Sequence, residues 1–139
     1  MRRPGRDRDG TSPPDGFARV FNTTRGTSLA SEAGFALSRR ARRRGLIGRR
    51  EMGRGEALVF PRCRQVHSFG MLFAVDVLFI DRHGTVVKAC HDLPPRSVSP
   101  VAWRARAAIE LPAGTLARTR TDERDNVEII ARGRARTRG

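Results

Sequence analysis

The stretch that decides the fold is Val66–His91, which reads VHSFGMLFAVDVLFIDRHGTVVKACH. From Met71 to Ile80 the residues are almost all apolar on both alternating faces, which is typical of a strand buried on both sides of a sheet. The following Asp81-Arg82-His83-Gly84 combines a turn former with a glycine, and the residues after it are again rich in β-branched side chains. The sequence therefore predicts a β-hairpin at the centre of the molecule.

Asp76 is the polar residue within this apolar run. Burial of an ionised carboxylate is costly unless the group is hydrogen-bonded or paired with a cation. We therefore expect Asp76 to have a partner, either backbone N–H groups or an arginine. His67, Ser68 and Asp76 are the polar groups nearest the apolar centre, so we expect a ligand pocket around these three residues.

Both ends of the chain are poor in apolar residues. Residues 1–16 and 131–139 consist mainly of Arg, Gly, Asp, Pro and Thr, which cannot bury enough surface to offset the entropy lost on ordering. We predict disordered tails there and a single globular domain over residues 17–130. A signal-peptide core and a bilayer-length apolar run are both lacking, and the two cysteines suit a reducing compartment. These features predict a cytoplasmic protein whose two cysteines are free thiols and which has no membrane partner.

Further strands follow from alternation and from turn residues on either side of the hairpin. The segment Val101–Leu111 alternates over its whole length, which predicts a half-buried strand with Trp103 on the buried face and Glu110 on the wet face beside Arg106. The other predicted strands are Phe17–Asn22, Ser28–Leu37, Ala57–Phe60 and Val127–Ile130. The fold class is therefore α+β, mainly antiparallel β, as a compact sheet or partly open barrel with one or two short helices.

One predicted helix carries a dense run of arginines. Ser38 is a plausible N-cap for a helix that ends before Gly45. The helix is either a cationic face for phosphate or an acidic partner, or a surface helix whose arginine stems cover the core while their charged ends stay in water. We favour the second interpretation. The basic surface consists of Arg39, Arg40, Arg42, Arg43 and Arg44.

The chain as a whole is strongly basic, with a net charge of +14. Residues 17–130 retain +9 of this charge, and a basic surface attracts polyanions. However, Lys88 is the only lysine and tyrosine is absent, a bias that GC-rich codons produce without selection for binding. The aromatic residues also lie in apolar runs rather than among the arginines, where bases would stack on them. Nucleic acid is therefore an alternative partner that the sequence does not favour.

Cys63, His67 and Asp76 are candidate catalytic residues. They could act as thiolate nucleophile, base and orienting carboxylate. Cys63 and His67 could also join Cys90 and His91 in a zinc-like set. Cys90 and His91 are sequential, however, and their side chains would point to opposite faces of a strand. We predict no metal and no cofactor, and we favour ordinary structural roles for these residues.

Four groups of residues are similar to one known family. They are RGLIGR at Arg44–Arg49, EAL at Glu56–Leu58, the run from Cys63 to Gly84, and IELPAGT at Ile109–Thr115. In this order and spacing they resemble the domain of unknown function family 192, over residues 17–130. His67 stands where many members carry Trp, as in a second subtype. The resemblance implies a small, mainly β domain with a short helix, and it implies no activity, because the family's activity is unknown.

These observations favour a non-enzymatic accessory protein that binds a small ligand or a protein partner near His67 and Asp76. A basic nucleic-acid-binding protein is one alternative. An enzyme or metal site at Cys63, His67 and Asp76 is the other.

Overall fold

The structure, a computed structural model, describes residues 17–37, 46 and 48–131. Its strands are β1 (Ala18–Asn22), β2 (Thr27–Phe35), β3 (Glu56–Pro61), β4 (Val75–Ile80), β5 (Val86–Leu93), β6 (Ala107–Pro112) and β7 (Val127–Ala131), and its helix is α1 (Thr115–Thr119). The predicted arginine-rich helix lies outside the described residues. So do the predicted tails, except for Ala131, which ends β7.

The strands form one seven-stranded sheet in the order β5-β4-β6-β3-β2-β1-β7. β2 and β3 are parallel, whereas each other neighbouring pair is antiparallel. The sheet is curled into a half-barrel, and its two edge strands meet at one corner, where an isolated bridge joins Thr85 to Asn126. The prediction of a mainly antiparallel α+β fold with a partly open barrel is confirmed. No helix in the described part of the chain is long and apolar enough to span a bilayer.

The predicted hairpin is formed by β4 and β5, which lie at one edge of the sheet rather than at its centre. Its turn is closed by Asp81, whose Oδ1 accepts hydrogen bonds from the backbone N–H groups of His83 at 2.8 Å and Thr85 at 3.0 Å. Gly84 follows with φ of 83°, a left-handed conformation that glycine adopts without strain. A Cβ atom at Gly84 would lie 2.5 Å from the carbonyl oxygen of Val127. Glycine therefore allows the hairpin turn to lie against β7.

Each face of the sheet buries a hydrophobic core. The inner core contains residues from all seven strands and Leu116 of α1, as expected for the inside of a curled sheet. The outer core covers the opposite face of β3, β4, β5 and β6 and is closed by apolar residues from the connecting segments. Every residue of β4 is buried, which confirms that this strand is covered on both sides. The connecting residues of the outer core are Ala36, Leu46, Met52, Val66, Met71, Ala102 and Ala105.

The prediction for Val101–Leu111 is wrong in two respects. The strand begins at Ala107 rather than Val101, because a turn closed by a hydrogen bond from Ala105 N to the carbonyl of Ala102 precedes it. As a consequence, Trp103 is 75% exposed instead of buried. Glu110 is 3% exposed instead of solvated, since β6 lies between β4 and β3 in the centre of the sheet and both of its faces are covered.

The remaining strand predictions agree with the structure, with small shifts at their ends. β1 pairs with β2 through a turn at Thr23–Gly26. β4 is shorter than predicted, because it begins at Val75 rather than near Met71. Leu72, which precedes it, is 61% exposed. The apolar run from Met71 therefore extends beyond the part that pairs in the sheet.

Candidate functional site

The carboxylate of Asp76 is bound by three backbone N–H groups. Oδ2 accepts hydrogen bonds from Leu116 N at 2.8 Å and Gly114 N at 3.1 Å, and Oδ1 accepts one from Asp92 N at 2.9 Å. The expectation that this buried carboxylate has a partner is confirmed, and the partners are the backbone of the α1 entry and of β5. Asp76 therefore fixes the turn before α1 to the sheet.

Ser68 is also buried and also holds two segments together. Its hydroxyl donates a hydrogen bond to the carbonyl of Pro94 at 2.5 Å and accepts one from the N–H of Ser97 at 2.8 Å. Its own N–H donates to the carbonyl of Ser97 at 2.8 Å. The side chain thus joins the segment before β4 to the segment after β5.

The three candidate catalytic residues are placed in different surroundings. Cys63 packs against the outer core, and its Sγ lies 3.2 Å from the carbonyl oxygen of Gln65. Asp76 points to the opposite face of the sheet, because its neighbours Val75 and Val77 face the outer core. His67 is exposed, and its Nδ1 accepts a hydrogen bond from Phe69 N at 3.3 Å. The sheet therefore separates the Cys63 thiol from the Asp76 carboxylate.

The four residues of the possible zinc set lie in β5 (Cys90 and His91) and in the segment between β3 and β4 (Cys63 and His67). Cys90 is half-buried in β5, and burial raises the pKa of its thiol. His91 is exposed next to it. Within the described ranges, no group of three or more His, Cys, Asp or Glu side chains is arranged to hold a metal ion.

The exposed His67 belongs to a two-stranded ribbon, which we define as residues 62–69 and 96–106. Hydrogen bonds from Ser99 N to Val66 O at 2.9 Å and from Ala102 N to Arg64 O at 2.8 Å join its two segments, and His67 is paired with Val98 in an antiparallel bridge. One side of the ribbon is buried on the outer core. The residues of that side are Val66, Ser68, Ser99, Ala102 and Ala105.

The solvent side of the ribbon carries large apolar side chains. Trp103 is 75% exposed, Phe69 is 51% exposed and Val98 is 49% exposed. The rings of His67 and Phe69 lie 5.3 Å apart at an interplanar angle of 33°, which is a common packing distance for neighbouring rings. The ribbon thus presents aromatic surface to water at both of its segments.

The segments that carry these aromatic side chains also carry arginines. The ribbon contains five arginines and no Asp or Glu, and all five are exposed. Arg62 and Arg96 have φ values of 54° and 62°, a conformation that is unfavourable for residues with a Cβ and is often found at functional sites. The ribbon is therefore a strongly positive surface with exposed rings. Its arginines are Arg62, Arg64, Arg96, Arg104 and Arg106.

A separate cleft of about 350 Å³ lies where β2 and β3 run in parallel. Arg49 binds Glu56 at its rim through two hydrogen bonds of 2.5 and 2.9 Å, and the hydrogen bond from Arg49 lowers the pKa of Glu56. The volume is in the range of small-molecule sites. The lining residues are Phe17, Glu32, Gly34, Leu46, Arg49, Gly53, Arg54, Glu56, Ala57 and Leu58.

Glu110 is a buried acidic residue that the sequence analysis placed on the wet face of its strand. It pairs across the sheet with Val77 and Leu58, both of which face the outer core, so its carboxyl points into that core as well. Burial raises the pKa of Glu110 to about 8, which makes it a neutral acid at pH 7. Among the hydrogen bonds between described residues, none reaches this carboxyl. Its burial follows from the pairing of β6 with the apolar strands β3 and β4. Knowledge of this pairing would have been needed to predict it.

Comparison with solved structures supports the fold. A crystal structure described as a "putative transcription regulator" from Sinorhizobium meliloti 1021 is similar with a TM-score of 0.70 and 23% identity, over 81% of this chain and 91% of that chain. A protein of unknown function from Novosphingobium aromaticivorans DSM 12444 has a TM-score of 0.70 and 21% identity, over 85% of this chain and 90% of that chain. At these identities the likeness concerns the fold alone.

Among the curated proteins, none matches the chain. A family model does match, over residues 20–129, and the family is DUF192, described as "Uncharacterized ACR". This match spans most of the chain and includes all the described strands except the ends of β1 and β7. The resemblance inferred from the sequence is thereby confirmed, and the chain belongs to the DUF192 family of uncharacterised proteins.

Proposed function

We propose that this chain is a non-enzymatic binding protein and that the ribbon binds an anionic partner. The observation that carries the proposal is the surface around Trp103, which is 75% exposed on a ribbon with five arginines and no acidic residue. Exposed apolar surface of this kind is common where a protein meets a partner. Because all the charged side chains of the ribbon are positive, the ribbon favours a negatively charged partner.

Of the three candidate ligand-binding residues, one contacts the partner in this proposal and two support the ribbon. His67 contacts the partner, because it is exposed in the middle of the ribbon. Ser68 holds the ribbon in place through its hydrogen bonds to Pro94 and Ser97. Asp76 acts from the other face of the sheet by fixing the end of β5 at Asp92. A rigid support of this kind lowers the entropy that is lost when the partner binds.

The proposal is tested with inorganic polyphosphate as an anionic probe. The double variant Arg64→Gln/Arg104→Gln removes two charges from the ribbon, and the matched control Arg19→Gln/Arg118→Gln removes two charges from exposed positions elsewhere. The affinity of the full chain for labelled polyphosphate is measured by fluorescence anisotropy over a series of salt concentrations.

The ribbon variant should bind polyphosphate at least about tenfold more weakly at low salt. The slope of log affinity against log salt concentration should also decrease in magnitude by about one to two, as expected for two lost phosphate contacts. The control should change the affinity by less than about threefold. Equal losses in both variants would show that only total charge matters, and the ribbon would then not be the binding site.

A further inference from the structure

We infer that the anionic partner is single-stranded nucleic acid, whose bases stack on Trp103 and on the His67–Phe69 ring pair while the ribbon arginines bind its phosphates. This inference rests on the proposed function and names the partner. Proteins that bind single strands combine a positive groove with aromatic side chains on which successive bases stack. The ribbon has both features on one solvent-exposed side.

The aromatic groups are spaced along the ribbon. Ala102, the neighbour of Trp103, is hydrogen-bonded to Arg64 across the ribbon. His67 lies three residues beyond Arg64 in the same segment, about 10 Å from Arg64 at the rise of an extended strand. The exposed Gln65 lies between Arg64 and His67. The basic Arg64 is thus paired with the neighbour of Trp103 and lies three residues from the second stacking position at His67.

Exposed rings distinguish a single strand from other anions. In a duplex the faces of the bases are already stacked on one another, so Trp103 would have no base to contact. An acidic peptide would satisfy the arginines but would provide no ring faces for Trp103, Phe69 and His67. A single strand supplies both phosphates and unstacked bases. The observed combination of charge and aromatic surface therefore fits a single strand better than either alternative.

Trp103 also supplies the signal for the test, because it is the only tryptophan and the chain contains no tyrosine. The full chain is titrated with a 20-nucleotide oligothymidylate while the fluorescence of Trp103 is recorded. The same experiment is repeated with an abasic strand of equal length, which keeps the phosphates and lacks the bases. Binding of both strands is measured independently by the anisotropy of a label on the strand.

Stacking should quench the Trp103 fluorescence, and the abasic strand should bind more weakly than oligothymidylate. In the variant Trp103→Leu the affinity for oligothymidylate should fall by about 5- to 100-fold, which is the range expected for the loss of one stacked base. Phe17→Leu is the matched control, since Phe17 is 41% exposed outside the ribbon, and it should leave the affinity unchanged. Circular dichroism verifies that both variants fold.

Several outcomes would overturn the inference. If the abasic strand binds as tightly as oligothymidylate, or if Trp103→Leu has no effect, the ribbon recognises charge alone and the proposed function survives without the inference. Tighter binding of a 20-base-pair duplex, or equal competition by polyglutamate, would assign the surface to a different partner. If neither polyphosphate nor oligothymidylate binds, the proposed function and the inference both fail.

Discussion

The N–H of Leu116 donates a 2.8 Å hydrogen bond to Oδ2 of Asp76, and this contact joins the first turn of α1 to the start of the buried strand β4. Gly114 donates to the same oxygen and Asp92 to the other one. A single buried side chain therefore connects three segments of the chain that are distant in sequence.

Removal of the Asp76 carboxylate should strongly destabilise the fold. Asp76→Ala leaves three N–H groups without their acceptor, among them the buried N–H of Leu116, and we expect a loss of about 3–5 kcal/mol in the free energy of unfolding. Asp76→Asn should also destabilise, because its NH₂ group cannot accept hydrogen bonds from N–H donors. Urea denaturation measures both effects. A change below about 0.5 kcal/mol, as is usual for surface substitutions, would contradict this role.

The buried carboxyl of Glu110 should make stability depend on pH. Its pKa is raised from 4.5 to about 8 in the folded protein, so the unfolded chain releases a proton that the folded protein keeps. Its stabilising contribution is complete below pH 4.5 and is lost as the pH rises towards 8, with a slope of about 1.4 kcal/mol per pH unit. Unfolding free energies measured across this interval test the slope.

The variant Glu110→Gln should abolish this dependence, since an amide does not ionise. Glu56→Gln is the matched control, because the pKa of Glu56 is lowered through Arg49 and its contribution is lost as the pH falls instead. A wild-type protein whose stability does not decrease between pH 5 and about 8 would show that Glu110 is solvated.

Two glycines with positive φ offer a paired test of the hairpin corner. Gly84 and Gly26 have φ values of 83° and 70°, but a Cβ atom at Gly84 would meet the carbonyl of Val127, whereas nothing lies within 4 Å of one at Gly26. Gly26→Ala should cost about 1 kcal/mol for the left-handed backbone alone. Gly84→Ala should cost clearly more, about 2–4 kcal/mol, because the hairpin turn and the backbone at Val127 must also move apart. Equal melting temperatures for the two variants would refute the close approach.

The reactivity of Cys63 tests the alternative in which it forms a catalytic set with His67 and Asp76. His67 is exposed and bound to its own segment through Phe69 N, and Asp76 lies across the sheet. The rate of Cys63 alkylation against pH, measured in a Cys90→Ser background, should therefore be the same with and without His67→Ala. A clear slowing in the His67 variant near neutral pH would instead support a thiolate activated by the imidazole.

Local sequence patterns were sufficient to predict the hairpin and most strands. Apolar residues on both faces of β4, followed by Asp81 and Gly84, describe a buried strand and its turn without reference to the rest of the chain. The partner of Asp76 could be anticipated for a similar reason, since a buried carboxylate requires donors wherever it lies. The identity of those donors depends on the position of α1. The alternation of apolar and polar residues along a strand does not specify that position.

The errors arose where long-range pairing decided the outcome. The pattern of Val101–Leu111 is periodic throughout, but the hydrogen bond between Ala102 and Arg64 turns its first half into the ribbon. Trp103 is consequently exposed on the ribbon beside Arg104, although the alternation of the segment predicted that it would be buried. Glu110 is buried because β6 pairs with both β3 and β4. Neither the Ala102–Arg64 hydrogen bond nor the pairing of β6 can be predicted from the residue pattern of Val101–Leu111 alone.

The pairing of β1 with both β2 and β7 has a consequence for how the protein is made. Contacts around β1 connect residues as far apart as Asn22 and Asp125, which are separated by 103 positions. A growing chain can form the β1–β2 hairpin early, but one edge of β1 stays without its neighbour until β7 has left the ribosome. Such late, long-range closure slows folding and leaves an unpaired strand edge that can associate with other chains. Synthesis that stops before Val127 would therefore yield a product that chaperones and proteases recognise as unfinished.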